Sequence, residues 1–592
     1  MAASIRSAAM NLSPLALRAA TLLAEHNLPA ALQAAQACLQ AEPDNAPVWN
    51  LLGVCAARLG QGELAEQCWQ QALQLDASVA DAHYNLGCLY AETGRPEQAE
   101  QHYRAELQRQ PDHPASLGNL ASLLADGGRP DAAQACWEAL LRVQPHDGAA
   151  LAGLAQCHQQ RGNPAAAEAC WEQLLQQDPH HLVALNNLAL LHQQQQRWAQ
   201  ADSLLQHALQ QPDPPAEIWL NQANGLLLQG KAEAAHALLQ QGIAHHPVAA
   251  ALHDALGMAC SELRLADAAE QALRTAVQLA PQQPRFRQNL GYLLLSQQRW
   301  DEGWPLLEAR LQRTPGSAAV PQIASQCWQG EALAGKHLLV WFEQGLGDAL
   351  QFCRYLPLLQ PARLTVVCRP ELLRLLQSLQ LDCPVDWLAM QRLDMDLPAH
   401  DCHVFAMSLP RWLAADPASV AAARFVMQSA ARARPATRPR KLGLVWRGHA
   451  RHPFDHHRSL PDVRLLEPLL TLPGMEWTSL QLPVQAAEQQ WLMGFANCQA
   501  AENGLDDLAA TAAVLGGLDG LVTVDTAMAH LAASLGLPTW LLLSASHTDW
   551  RWGWQGETSV WYPSMRLRRQ QAAGDWTGLI SCLAAELALP AA

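Results

Sequence analysis

The sequence predicts an all-α array of helical hairpins followed by two α/β lobes with parallel sheets. Three observations carry this. The first part of the chain matches itself at a shift of 34 residues. Past residue 330 the pattern changes to short apolar, β-branched runs alternating with helical stretches. A basic, proline-bearing segment, residues 430–441, divides that second part in two.

A chain of 592 residues exceeds what one core can organise. Half of it is hydrophobic, and Ala, Leu and Gln dominate, a bias toward helix. A net charge of −15 leaves no broad basic field to displace counterions, which argues against a general nucleic-acid binder. The 15 cysteines are scattered singly with no CxxC pair, as in a reduced, cytoplasmic protein. Arg6, Pro14 and Arg18 interrupt the apolar N-terminal stretch, so no signal peptide is expected there. No apolar run approaches the roughly twenty residues of a membrane span.

Residues 1–315 hold about nine units of 34 residues. One column of small residues runs from Ala19 through Gly53 and Gly87 to Gly257 and Gly291, and a second from Ala31 through Ala65 to Gly303. Small side chains belong where two helices cross closely. Large residues such as Trp69, Tyr103, Trp137, Trp171 and Leu205 form a third column that fills the space between neighbours. Prolines at 43, 111, 145, 179, 247, 281 and 315 end one unit and start the next. Gly60, Gly94, Gly128, Gly162 and Gly230 mark the turn inside a unit. This pattern resembles the tetratricopeptide repeat (TPR), which implies a superhelix with a concave groove and a capping first unit. Asn85, Asn119, Asn187, Asn221 and Asn289 share a column expected to face that groove, where an amide can hold a peptide backbone or act as polar filler. Leu17, Leu51, Gly153 and Ala255 interrupt this ladder.

A connector, 316–329, separates the array from a first lobe, 330–431; a linker, 432–440, leads to a second lobe, 441–592. Strands are expected at 337–342, 364–368 and 403–406, then at 442–446, 477–482, 518–525 and 539–543. Two such lobes in succession place a cleft between them, with ligands at strand carboxyl ends.

The second lobe is organised around Leu521 to Pro538. A short buried strand runs into Asp525 and Thr526, which can cap a helix over Ala527–Leu535. A strand turning tightly into a helix offers backbone N–H groups and a dipole to a phosphate, and Ala527 and Ala529 allow close approach. Met528 and His530 lie in the same turn; His530 either bonds a phosphate or sugar oxygen or packs the helix. In the first lobe, Gly345 and Gly347 permit a tight turn, and Asp348 either caps the following helix or projects into the cleft as a base. The loop Trp446–Pro461 is cationic, and Arg447 or Arg458 suits a leaving diphosphate. His449, His452, His456 and His457 match no compact ligand spacing, and adjacent His456 and His457 are expected to point apart, so no metal is expected.

Trp341–Pro357, Gly443–His449, Arg458–Pro461, Ser479–Gln481, Val524–His530, Asp549–Trp552 and Trp561–Ser564 together resemble bacterial TPR proteins with a C-terminal glycosyltransferase domain of the heptosyltransferase-like type. That plan is similar to the O-linked N-acetylglucosamine transferases. The resemblance implies a twin Rossmann-like, GT-B architecture and metal-independent, inverting transfer from a nucleotide-diphosphate sugar, with no separate cofactor. It makes Asp348 the base and Asp525, Thr526, Ala527, Met528, Ala529 and His530 the phosphate-binding turn. It puts Gln481 near the nucleoside. Arg458, before Ser459-Leu460-Pro461, stands where the family has a lysine before a tryptophan-proline pair.

The expected function is a protein glycosyltransferase whose repeats hold an acceptor polypeptide, with homo-oligomers through the repeats a further expectation. Two alternatives stay open: an enzyme acting on a lipid or polysaccharide acceptor, and a scaffold whose transferase lobes are inactive.

Overall fold

A computed structural model describes residues 13–312, 320–413, 420, 425, 439–449, 455–501 and 505–589. Pro315, most of the interlobe linker and His452 lie outside the described residues. The chain forms two compact units, Met1–Gly225 and Leu226–Ala592.

Eighteen helices run in antiparallel pairs from Pro14–Ala24 to Trp300–Leu307. The expected columns explain their packing. Trp69, Tyr103, Trp137 and Trp171 are all buried. A Cβ at Gly53 would lie 2.6 Å from the Trp69 indole, and one at Gly87 would lie 2.6 Å from the Tyr103 ring. Gly153 interrupts the asparagine column because the Trp137 ring occupies the space a side chain there would need, with a Cβ only 2.4 Å away.

The turn between the two helices of each pair has positive φ throughout. Glycine holds it at 60, 94, 128, 162 and 230, whereas His26, Gln196, Arg264 and Gln298 adopt φ of 59–61° at the equivalent positions. A side chain in this left-handed region costs about 1–2 kcal/mol.

The second unit contains the last repeats and two parallel sheets. The first sheet comprises β1 (Gln326–Cys327), β2 (His337–Trp341), β3 (Arg363–Cys368), β4 (Val385–Ala389) and β5 (Cys402–Phe405), in the order β1-β5-β2-β3-β4. The second comprises β6 (Arg440–Val445), β7 (Met475–Ser479), β8 (Cys498–Ala500), β9 (Gly520–Val524), β10 (Thr539–Leu543) and β11 (Met565–Arg569), in the order β11-β10-β9-β6-β7-β8. All described pairings within both sheets are parallel. In the second sheet the chain winds outward from β6 to one edge and returns beside it as β9. That order is doubly wound, and its switch point opens a crevice at the carboxyl ends of β6 and β9. The first sheet reverses in the same way between β2 and β5. Strands β9 and β10 are buried along their whole length and β2 from Leu338 onward, as expected of inner strands in a parallel sheet.

The last repeats are built into this unit. Trp304 packs edge-on against Trp550 at 5.7 Å and against Phe352 at 6.0 Å, and Trp300 meets Trp561 at 5.5 Å. Arg310, nearly inaccessible, bonds Glu343 at 2.8 Å, Glu308 at 2.7 Å and the Ser408 hydroxyl at 2.8 Å. All 15 cysteines are free thiols, and most are buried. Among the described residues, no helix is long and apolar enough to cross a membrane.

Candidate active site

Two strand ends meet at the site. After β2, Gly345 enters the helix Leu346–Phe352, and Asp348 sits in its first turn. The carboxylate reaches back to accept the Gly345 N–H at 3.0 Å through Oδ2. After β9, Thr526 is the N-cap of the helix Ala527–Ser534. Its hydroxyl lies 3.2 Å from that of Thr523 and makes no capping bond to the helix N–H groups. The two turns touch: a Cβ at Gly347 would lie 3.0 Å from the His530 ring and 3.8 Å from the Ala527 Cα. Glycine at 347 is what lets them approach so closely.

Beside this contact lies a cavity of about 530 Å³. Gln344, Asp348 and Met407 line it from the first lobe, and Arg458, Asp525 and the segment His547–Arg551 with Trp554 from the second. The last repeats contribute Met258, Ser261, Glu262, Arg264, Asn289, Tyr292, Leu293 and Ser296. Four carboxylates and three guanidinium groups therefore face one space.

Arg551 is central to it. Its side chain is only 8% exposed, and it joins Asp348 Oδ1 through Nη2. Nη1 donates to Asp549 at 3.0 and 3.1 Å, and Nε donates to Gln351. The guanidinium lies 4.5 Å from the Trp550 ring centroid. Burial opposes its charge, but Asp549 and Asp348 more than offset that, and its pKa is raised. Asp525 is pushed up to about 6, first by burial and then by the Asp549 charge, with Arg458 and Arg551 pulling the other way.

The other expected residues are distributed as follows. Arg458 lines the cavity and bonds Asp455 at 3.2 Å. A Cβ at Gly448 would meet both Asp455 and Arg458, at 2.4 and 2.7 Å, so glycine lets this loop fold over them. Arg447 is not among the cavity residues; it pairs with Glu488 at 2.6 Å. Gln481 is buried, and its carbonyl accepts the Trp446 and Arg447 backbone N–H groups at 3.1 and 2.8 Å, so it holds the loop after β6. His530 is buried, with Nδ1 3.0 Å from the Tyr562 hydroxyl and its ring against Trp552. Burial holds its pKa well below the usual histidine range, with Arg551 and Arg354 acting in the same sense. Contrary to expectation, His456 and His457 do not point apart: their ring centroids are 3.9 Å apart, and His457 also packs on His547 at 4.4 Å.

The asparagine column is engaged chiefly within the array. Asn85 donates to Asn50 at 3.3 Å, Asn221 to Asn186 at 2.8 Å and Asn289 to Asp254 at 2.9 Å, each across 35 residues into the preceding repeat. Asn119 donates to the Tyr103 hydroxyl and the Cys88 sulfur, and Asn187 to the Val183 carbonyl one turn back. Of the five, Asn289 also lines the cavity.

The sequence motif Asp549–Trp552 gave neither Arg551 nor Asp549 a role, and of the repeat residues in the wall only Asn289 was expected at a binding surface. Arg264 stands in a column of turn glycines, which was the available signal. It donates to the Ala545 carbonyl at 3.0 Å and the Thr548 hydroxyl at 3.2 Å. Glu262 accepts the His547 N–H at 2.8 Å.

Family models of the tetratricopeptide repeat match residues 44–112, and also 17–67, 119–168, 158–217 and 220–284. Protein FlbA of Caulobacter vibrioides is 26% identical over 327 residues, 48% of this chain and 52% of that protein. The chain thus spans about half the length of that curated relative. Among solved structures, YrrB, described as a TPR protein with an unusual peptide-binding site, is 19% identical, covering 30% of this chain and 91% of its own, with a TM-score of 0.28. A TPR protein from Parabacteroides merdae is 20% identical, covering 41% and 96%, with a TM-score of 0.30. The N-terminal region of this chain is an array of tetratricopeptide repeats, followed by a region of parallel sheets.

Proposed function

We propose that the protein is a glycosyltransferase that moves a sugar from a nucleotide-diphosphate donor to a polypeptide acceptor held by the repeats. The observation carrying this reading is the meeting of the Gly345–Asp348 turn and the Asp525–His530 turn beside one cavity. A transferase of this kind needs a base on one side and an anion site on the other, and this arrangement supplies candidates for both. The two doubly wound sheets and the sequence motifs agree with a GT-B plan.

In this reading the acceptor hydroxyl oxygen attacks the anomeric carbon while its proton passes to Asp348. The bond from that carbon to the diphosphate oxygen breaks, and the electron pair leaves on the diphosphate. The helix start at Ala527 and the guanidinium of Arg458 stabilise the charge that develops there. Tyr292, Asn289 and Ser261 of the last repeats line the acceptor side, so a polypeptide held by these last repeats lies beside the reacting atoms.

The test is incubation with labelled sugar nucleotides and separate polypeptide, lipid and polysaccharide acceptors. Transfer to polypeptide alone is expected, and Asp348→Ala reduces it by roughly 10²–10⁴-fold while nucleotide binding survives. Transfer confined to lipid or polysaccharide would replace the acceptor assignment. No transfer or hydrolysis with any nucleotide sugar would leave a docking scaffold.

A further inference from the structure

Both carboxylate oxygens of Asp348 are engaged, Oδ2 by the Gly345 N–H and Oδ1 by Arg551, whose side chain is only 8% exposed, so an acceptor hydroxyl must compete with a guanidinium for Oδ1. The way Arg551 is held suggests how it is released. Asp549 grips Nη1 with both carboxylate oxygens, Gln351 accepts from Nε, and the Trp550 face backs the plane. These contacts fix the guanidinium whatever Nη2 does. The Nη2 arm is the one that reaches Asp348, in the same cavity wall as Arg458 and Asp525.

Resting on the donor class proposed above, we infer that Asp348 and the donor's diphosphate compete for the Nη2 arm of Arg551, so that anion binding releases the base. A diphosphate carries more charge than a carboxylate, and a planar guanidinium favours paired phosphate oxygens. When it takes Nη2, Asp348 keeps only its bond from the Gly345 N–H, and Oδ1 becomes available to an acceptor hydroxyl. The exchange needs no movement of the Arg551 side chain as a whole, because Asp549 and Gln351 hold it. The base is thereby switched on only when the leaving group is in place, which guards against idle proton transfer.

The experiment is calorimetric titration of the full chain with UDP, GDP, ADP and inorganic pyrophosphate. Asp348→Asn preserves the shape and an acceptor for Gly345 but is a weaker competitor. It is expected to bind the preferred diphosphate about 5–10-fold more tightly than the parent. Asp348→Ala, as a second variant, is expected to do the same. Arg551→Lys, which keeps the charge but loses the fork, is expected to bind at least tenfold more weakly. Asp549→Asn removes one negative charge from the same cavity yet takes away the group that holds the guanidinium, so it is expected to tighten nothing. A parent that binds diphosphate with both Asp348 variants unchanged or weaker would overturn the competition and leave the glycosyltransferase reading intact. Equal tightening by Asp348→Asn and Asp549→Asn would also overturn it, in favour of bulk charge. A parent that binds none of the four would overturn the donor assignment and the competition with it.

Discussion

The same repeat is used in two ways along this chain. In the first unit, polar side chains bind one repeat to the next at fixed spacing. Glu66 pairs with Arg95, Glu100 with Arg129 and Glu168 with Arg197, each 29 residues apart and at 2.5–2.9 Å. These pairs are partly exposed and periodic. In the last repeats, Glu270 and Arg299 continue the series. Their neighbours, however, turn to partners far along the chain: Arg264 to Ala545, Glu262 to His547, and Arg310 to Ser408 as well as to Glu343 in the first lobe. These contacts are more deeply buried and occur once each. A repeat propagates through its periodic contacts and becomes part of a site through its singular ones.

The difference predicts an order of effects. The largest is expected at Arg310. Arg310→Ala leaves Glu343 buried without its counter-charge and should cost about 3–5 kcal/mol, read as a lower denaturation midpoint with hydrogen-exchange protection lost around Glu343. A cost as small as that of an array pair would erase the contrast between the regions.

Next comes Asp525, whose folded-state pKa lies near 6 against an ordinary 3.8. A raised carboxyl pKa contributes stability below the unfolded value and loses it as pH rises through the folded one. Asp525→Asn removes that loss. It should stabilise the protein by up to roughly 3 kcal/mol at pH 7.5, with the gain shrinking as pH falls from 6 toward 4. Urea denaturation across that range checks it, and a constant difference would refute the assignment.

Arg264 sharpens the comparison further. Arg264→Ala keeps the left-handed backbone but loses the bonds to Ala545 and Thr548, at about 2 kcal/mol. Arg264→Gly loses the same bonds but restores the residue found at Gly94 and Gly128, and should be about 1 kcal/mol less costly. Equal thermal-unfolding midpoints for the two would show that the turn carries no strain. The smallest effect is expected at Arg95→Ala, under about 1 kcal/mol because the pair with Glu66 is partly exposed, and it should diminish with salt.

What was legible in the sequence follows the same division. Periodic features repeat within the chain, so a 34-residue shift exposes them, including the crowding of Gly87 by Tyr103. Apolar strands such as β2 and β9 were legible because they are buried on both faces. Four strands were not. β4 and β11 carry Asp386, Arg566 and Arg568 at sheet edges, and β1 and β8 are two and three residues long. Asp348 and Asp525 were legible as cavity residues because each follows a strand end with a recognisable turn, and Arg458 because it lies in the cationic loop after β6. Arg551 was not, because its role depends on Asp348, 203 residues away. Arg447 and Gln481 show the converse: residue type at a strand end does not say which way the side chain turns.

The location of the anchoring contacts has a consequence for how such a chain can vary. Every repeat side chain in the cavity wall lies between Met258 and Ser296, and the link to Glu343 comes from Arg310. A 34-residue module upstream of Gly225 could be duplicated or excised with no cavity residue replaced. The length of the array and the lining of the cavity can therefore drift at separate rates, one by recombination of modules and the other by point substitution.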